Sequence, residues 1–192
     1  TNWEDEHINW GKKWTKVDYV TAFTKANGLS PLTATHSELI EKAKSLGVQP
    51  EQNAGKGRLI DLIFKKTVRP NLVQPCFLVN PPVAIEPLAK RSPENREVVE
   101  RMQIVAGGTE LGKGFTELND PIDQRLRFEE QMRLRDAGDK EAQFLDEDFL
   151  EALEYGMPPA TGFGVSERFF SVLMDKPIRE TVFFPLMRRK DA

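Results

Sequence analysis

Residues 107–120 read Gly-Gly-Thr-Glu-Leu-Gly-Lys-Gly-Phe-Thr-Glu-Leu-Asn-Asp, and Pro121 follows. Glu100 to Ala106 reads as a strand, and the pair Gly107-Gly108 turns it back on the following stretch as a hairpin. An antiparallel pair is therefore the first constraint on any fold of this chain. Period-2 alternation puts Lys113, Phe115 and Glu117 on one face of the second strand. Gly112 and Gly114 lie on the other face, where they leave room for a ligand or another backbone. A carboxylate beside an aromatic on a strand face can hold an ammonium group by ion pairing and ring contact. On spacing alone, an edge hairpin with solvated charges is the simpler reading.

Helical signals flank the hairpin. Thr15 and Asp18 read as a capping box that opens a helix ended by Gly28. Thr35 and Glu38 form a second box, followed by the stripe Leu39, Ile40, Ala43 and Leu46, and Gly47 ends it. Leu59 to Phe64 makes a third, short helix that stops before Pro70. None of the three carries a catalytic signal. Residues 72–79 read as a strand, with Pro75 at an edge or start. Ser92-Pro93 resembles an N-cap that opens a helical turn.

Beyond Pro121 the pattern predicts a helix. Ile122, Leu126, Phe128, Met132 and Leu134 are its apolar contacts, Arg127, Arg133 and Arg135 lie on its charged face, and Gly138 ends it. Asp146 through Tyr155 predicts another, ended by Gly156. A glycine-relieved strand, Thr161 to Val165, then runs into an apolar helix with Glu167 and Arg168 in its first turn. Such a junction can place an arginine over a ligand lying on the strand. The glycine spacing fits neither a dinucleotide fingerprint nor a P-loop. The tail from Ile178 to Pro185 reads as a short strand or extended segment.

Composition excludes several classes. With 27 Lys+Arg against 30 Asp+Glu, the net charge is −3, so no basic surface advertises nucleic acid. A local patch remains compatible with a tRNA partner. Cys76 is the single cysteine, which rules out a disulfide within the chain and argues for a buried thiol and a reducing cytoplasm. His7 and His36 form no metal or triad spacing. No apolar run approaches the roughly 20 residues of a membrane helix. Trp3, Trp10 and Trp14 suggest a segment packed on other structure. The first residue, Thr1, is what a fragment or processed product would show.

Taken together, the hairpin run 107–120, the run Phe149-Leu150-Glu151-Ala152-Leu153-Glu154-Tyr155-Gly156-Met157-Pro158-Pro159, the run Pro87-Leu88-Ala89-Lys90-Arg91 and the closing Phe184-Pro185 resemble class II lysyl-tRNA synthetases. The resemblance is to the C-terminal part of their catalytic domain. It implies an α+β fold, a mostly antiparallel sheet flanked by helices, incomplete in this chain. It implies residues 1–192 as that C-terminal portion, with a helical insertion at about 15–68 and a sheet and third-motif region at about 70–188. The first two class motifs are expected before Thr1, so these residues alone are expected to be inactive.

The resemblance also implies a chemistry: activation of lysine with ATP, then transfer to tRNA. Arg168 resembles the third-motif arginine that packs on the adenine and reaches the triphosphate. Gly162 and Gly164 let the nucleotide lie close to the strand. Glu110 resembles the carboxylate at the ATP–Mg2+ site, Glu117 the partner of the substrate's ε-ammonium, and Phe115 the aromatic beside its aliphatic stem. Lys113 stands on the substrate-facing side where the family usually has asparagine, and Gln103 where it usually has a glutamate metal ligand. The third motif aligns only with a one-residue shift. A homodimer is expected at full length. The alternative is a non-catalytic synthetase-like binding module. An aspartate or asparagine enzyme is the weaker relative, because Glu117 would repel an acidic substrate.

Overall fold

The computed structural model describes residues 1–51, 53–138 and 142–185. A small ribbon, β1 (Asn2–Trp3) and β2 (Glu6–His7), precedes β3 (Thr15–Asp18), which opens the main sheet. Helices α1 (Tyr19–Asn27), α2 (His36–Ser45) and α3 (Lys56–Thr67) follow. The chain then forms β4 (Cys76–Val79), β5 (Arg101–Ala106) and β6 (Thr109–Thr116). It closes with α4 (Pro121–Asp136), α5 (Glu147–Glu154), β7 (Thr161–Val165) and α6 (Arg168–Met174). The spatial order of the main sheet is β3-β4-β5-β6-β7. All its pairings are antiparallel except β3 with β4. The architecture is thus the expected α+β one, a mostly antiparallel sheet flanked by helices.

Most expected boundaries hold because their signals are local. Gly107 and Gly108 take φ of 56° and 63° between β5 and β6. Thr35 caps α2 with the reciprocal Glu38 bond, and Gly28 ends α1 at φ 73°. Three expected boundaries fail. Thr15 does not cap a helix: Val17 pairs with Leu78 inside β3, and Asp18 caps α1 by accepting from the Thr21 N–H at 2.8 Å. Ser92-Pro93 opens no helix, because Arg91 and Val99 bridge across it and pin it as a bend. The tail holds a 3-10 turn at Ile178–Glu180 rather than a strand. Residues 186–188 of the expected third-motif region lie outside the described residues.

Each face of the sheet carries an apolar core. On the front, α1–α3 bring Tyr19, Phe23, Leu59, Ile60, Ile63 and Phe64 against Cys76, Leu78 and Val105. Burial pushes the Cys76 thiol up to about 11, so it stays protonated and inert near neutral pH. On the rear, Ile8, Ala106, Leu111 and Val172 form a second core with Trp3, Trp10 and Phe169. The tryptophans therefore pack on this chain: Trp10 lies 6.1 Å from Phe169 and Trp14 lies 5.3 Å from Phe77, ring centre to ring centre.

Helix α4 departs most from expectation. Ile122 and Leu126 are 74% and 59% exposed, while Gln124, Arg127 and Phe128 are buried. The reason is the irregular chain at 86–91, which turns carbonyls toward the helix. Arg127 Nη1 donates to the Ala89 carbonyl at 2.6 Å, and Gln124 Nε2 donates to the Pro87 carbonyl at 3.3 Å. Asp123 receives Arg127 from its own helix and Arg91 from the loop, at 2.7 and 2.8 Å. Burial pushes the Asp123 carboxyl up, but hydrogen bonds and charge from Arg127 and Arg91 outweigh it and bring it from 3.8 to about 2.

Because the folded state holds Asp123 below its ordinary value, the stability it contributes is complete above about pH 4 and fades as pH falls toward about 2. Asp123→Asn is expected to destabilise the protein at neutral pH by about 3 kcal/mol in denaturant unfolding. It should also flatten that acid limb. A second test concerns Gly57 in α3, where a Cβ would sit 1.9 Å from the Ala84 carbonyl oxygen. Alanine improves helix propensity by about 1 kcal/mol. Gly57→Ala should nonetheless lower the unfolding midpoint, with overpacking of about 1–3 kcal/mol deciding the sign.

Candidate active site

Strands β5, β6 and β7 present two cross-strand rows on the front face. One is Arg101, Phe115 and Gly162; the next is Gln103, Lys113 and Gly164. The register then shifts: Ile104 faces Gly112, but Val105 faces Glu110. Leu111 is the extra residue of this bulge and sinks into the rear core, 1% exposed. Strict alternation from Lys113 would leave Glu110 on the rear. The bulge returns it to the front, beside Gln103.

The glycines of β6 and β7 serve opposite faces. A Cβ at Gly114 would come within 2.7 Å of the Gly162 carbonyl and 2.8 Å of the Phe163 ring. On the rear, then, the room left by Gly112 and Gly114 is taken by β7 and by Phe163. On the front, Gly162 and Gly164 leave bare backbone beside Phe115 and Lys113. Glu117 continues this face. Its Oε1 would lie 3.0 Å from a Cβ at Gly162, and its side chain has no hydrogen-bond partner among the described residues. Residues 88–91 run alongside and fix its backbone, with Lys90 N–H donating to the Thr116 carbonyl at 2.8 Å and Leu118 N–H to the Leu88 carbonyl at 3.0 Å.

Charges on this floor form one chain of contacts. Glu86 Oε2 accepts from Arg101 Nη1 at 3.1 Å and from Lys113 Nζ at 3.3 Å. Arg101 Nη2 donates to Gln103 Oε1 at 2.7 Å, and Gln103 Nε2 donates to Glu110. An arginine only donates and a carboxylate only accepts, so the Gln103 amide has one possible orientation. Lys113 also stands 5.9 Å from the centre of the Phe115 ring. It pairs with neither Glu110 nor Glu117. Glu86 and Arg101 carry the arrangement, and no motif in the sequence singles them out. Arg101 shares strand parity with Gln103, which was a usable signal; Glu86 lies in a loop and gave none.

Two cavities meet at this floor. One, of about 360 Å3, is lined by Tyr19, Asp61, Arg101, Gln103, Glu110 and Lys113. Tyr19 Oη and Arg101 Nε in its wall are buried and have no hydrogen-bond partner among the described residues. The other, of about 400 Å3, is lined by Glu110, Lys113, Phe115, Gly162, Gly164 and Ser166. Six of the seven expected site residues therefore share one face: Glu110, Lys113, Phe115, Glu117, Gly162 and Gly164. Arg168 stands apart. It is the first residue of α6, exposed, with its N–H held by Ser166 Oγ at 3.3 Å, and it lines neither cavity.

Among the described residues no three His, Cys, Asp or Glu side chains cluster as a metal cage. Glu110 offers a single carboxylate with one oxygen engaged by Gln103. That suits Mg2+ only where phosphate oxygens complete the shell, which is how this ion is commonly held.

The family model for class II tRNA synthetases (D, K and N) matches residues 3–188. Among curated proteins, the chain is 44% identical to a lysine–tRNA ligase of Moorella thermoacetica over 98% of its own length and 39% of that protein. It is 44% identical to one of Roseiflexus sp. (strain RS-1) over 96% of its length, and 39% identical to one of Staphylococcus haemolyticus over 98%. The chain thus spans about two fifths of the length of the curated relatives it matches. With the antiparallel sheet, the hairpin floor and a match across nearly the whole chain, this protein belongs to the class II tRNA synthetases of the D, K and N family.

Proposed function

We propose that this chain is the C-terminal portion of the catalytic domain of a lysine–tRNA ligase. Helices α1–α3 form its insertion, at about 15–68, and the sheet with the third-motif region occupies about 70–188. The observation that carries this reading is Glu117, a carboxylate with no side-chain partner among the described residues, beside an aromatic face and a bare glycine strand. An ammonium group placed there gains a charge-assisted hydrogen bond, and its methylene stem lies against Phe115. The names of the relatives point to the same substrate.

The reaction so assigned has two steps. A carboxylate oxygen of lysine bonds to the α-phosphorus of ATP while the bond to the bridging oxygen breaks, releasing pyrophosphate. A terminal hydroxyl of tRNA then attacks the aminoacyl carbonyl and AMP leaves. This chain's part is positioning and charge placement. Glu117 and Phe115 hold the amino acid. Gly162 and Gly164 let a planar ring lie on the backbone. Arg168, at the end of that strand, supplies a permanent positive charge to the nucleotide. Glu110 would hold Mg2+ through its one carboxylate, and the ion, when bound, offsets phosphate charge. By the same reading the partners are lysine and tRNA, the assembly a homodimer and the compartment the cytoplasm. Among the described residues no helix is long and apolar enough to cross a membrane.

The test is lysine-dependent exchange of pyrophosphate into ATP by the full-length protein with Mg2+; no exchange would refute the assignment. In that protein Glu117→Gln should weaken lysine binding by about 1.5–3 kcal/mol, roughly ten- to a hundredfold. An unchanged lysine affinity would remove Glu117 from the pocket.

A further inference from the structure

Lys113 is the one cation on the front of β6, where it stands with Glu110 and Phe115 and just ahead of Glu117, and its charge is the same as that of the proposed substrate. Two carboxylates lie within four residues of it along the hairpin, yet it bonds to neither. Its Nζ goes instead to Glu86 Oε2 at 3.3 Å, across from a loop 27 residues earlier in the chain. The lysine is 39% exposed in its side chain and Glu86 only 12%, so the anion is the fixed member and the cation the adjustable one. Glu86 itself is held twice. Arg101, 5% exposed, donates to the same oxygen, and Arg127 binds the backbone carbonyls of the loop that carries it.

We propose that Glu86 is a specificity-determining positioning residue: it sequesters the Lys113 ammonium so that Glu117 stays open to a substrate ammonium. The inference rests on the lysine-pocket reading above. Lys113 and Glu117 share a strand face, separated by the Phe115 ring over which the Lys113 ammonium already stands. A lysine side chain released from Glu86 can swing along that face. It then offers Glu117 an intramolecular partner, present at high effective concentration, in direct competition with substrate. Glu86 thus acts on binding through a second residue and touches no reacting atom. Its loop position also couples the pocket to α4, because Arg127 holds the same segment.

The test uses lysine affinity of the full-length protein, read by calorimetry. Glu86→Gln keeps an oxygen for Arg101 but loses the charge that holds Lys113. It should weaken lysine binding on the order of five- to tenfold. Adding Lys113→Met to Glu86→Gln should restore most of the affinity, since the competitor is gone. A merely structural role would leave the double variant as weak as the single one, and that result overturns the proposal. So does a Glu86→Gln protein with unchanged affinity. If Glu86→Gln fails to fold, Glu86→Asp, one methylene too short for Lys113, must show the same loss and the same rescue. Glu117→Gln measured alongside separates the two claims. A flat response there refutes the pocket, whereas a strong response there with a flat Glu86→Gln refutes only this inference.

Discussion

The architecture around the floor depends on a buried guanidinium. Arg127 is 6% exposed in its side chain, and a charge so buried is tolerated only when its donors are satisfied. Asp123 supplies the counter-charge, and the carbonyl of Ala89 takes Nη1. In exchange the irregular stretch after β4 acquires a defined path. That path sets Glu86 against Arg101 and Lys113, and lays residues 88–91 beside the backbone of Glu117. One helix residue thereby fixes a loop whose own sequence carries little regular structure.

The sheet divides labour between its faces. The rear packs α6 and the tryptophans against β5 and β6, with Phe163 half-exposed over the glycines of β6 that let the next strand approach. The front is closed by α1–α3 over β3, β4 and part of β5, and stays open over β6 and β7. Polar residues gather where the helices stop. The bulge at Leu111 is what makes this division possible within one strand. It sends an apolar residue to the rear core and a carboxylate to the front within two consecutive positions.

Legibility in the sequence follows the range of the interaction. The hairpin, the capping box of α2 and the glycine stops were readable, because each depends on residues a few positions apart. Thr15 was misread because its capping pattern competes with strand pairing to Cys76, 61 residues away. The buried face of α4 was misread because the apolar pattern ignores carbonyls arriving from 86–89. In the site, alternation correctly grouped Lys113 and Phe115, and the family pattern supplied Glu110. Neither contained the bulge that puts Glu110 with them, nor Glu86, whose role exists only in three dimensions.

The oriented amide of Gln103 has a consequence for ligand entry. Arg101 grips its oxygen and Glu110 takes its NH2 group, so three side chains on two strands are already committed to one geometry. The carboxylate of Glu110 therefore gives up little rotational freedom when something binds it. Much of the ordering that a flexible acidic side chain would undergo at that moment has been completed during folding. Folding has thus done in advance part of the work that positions a ligand at this end of the floor.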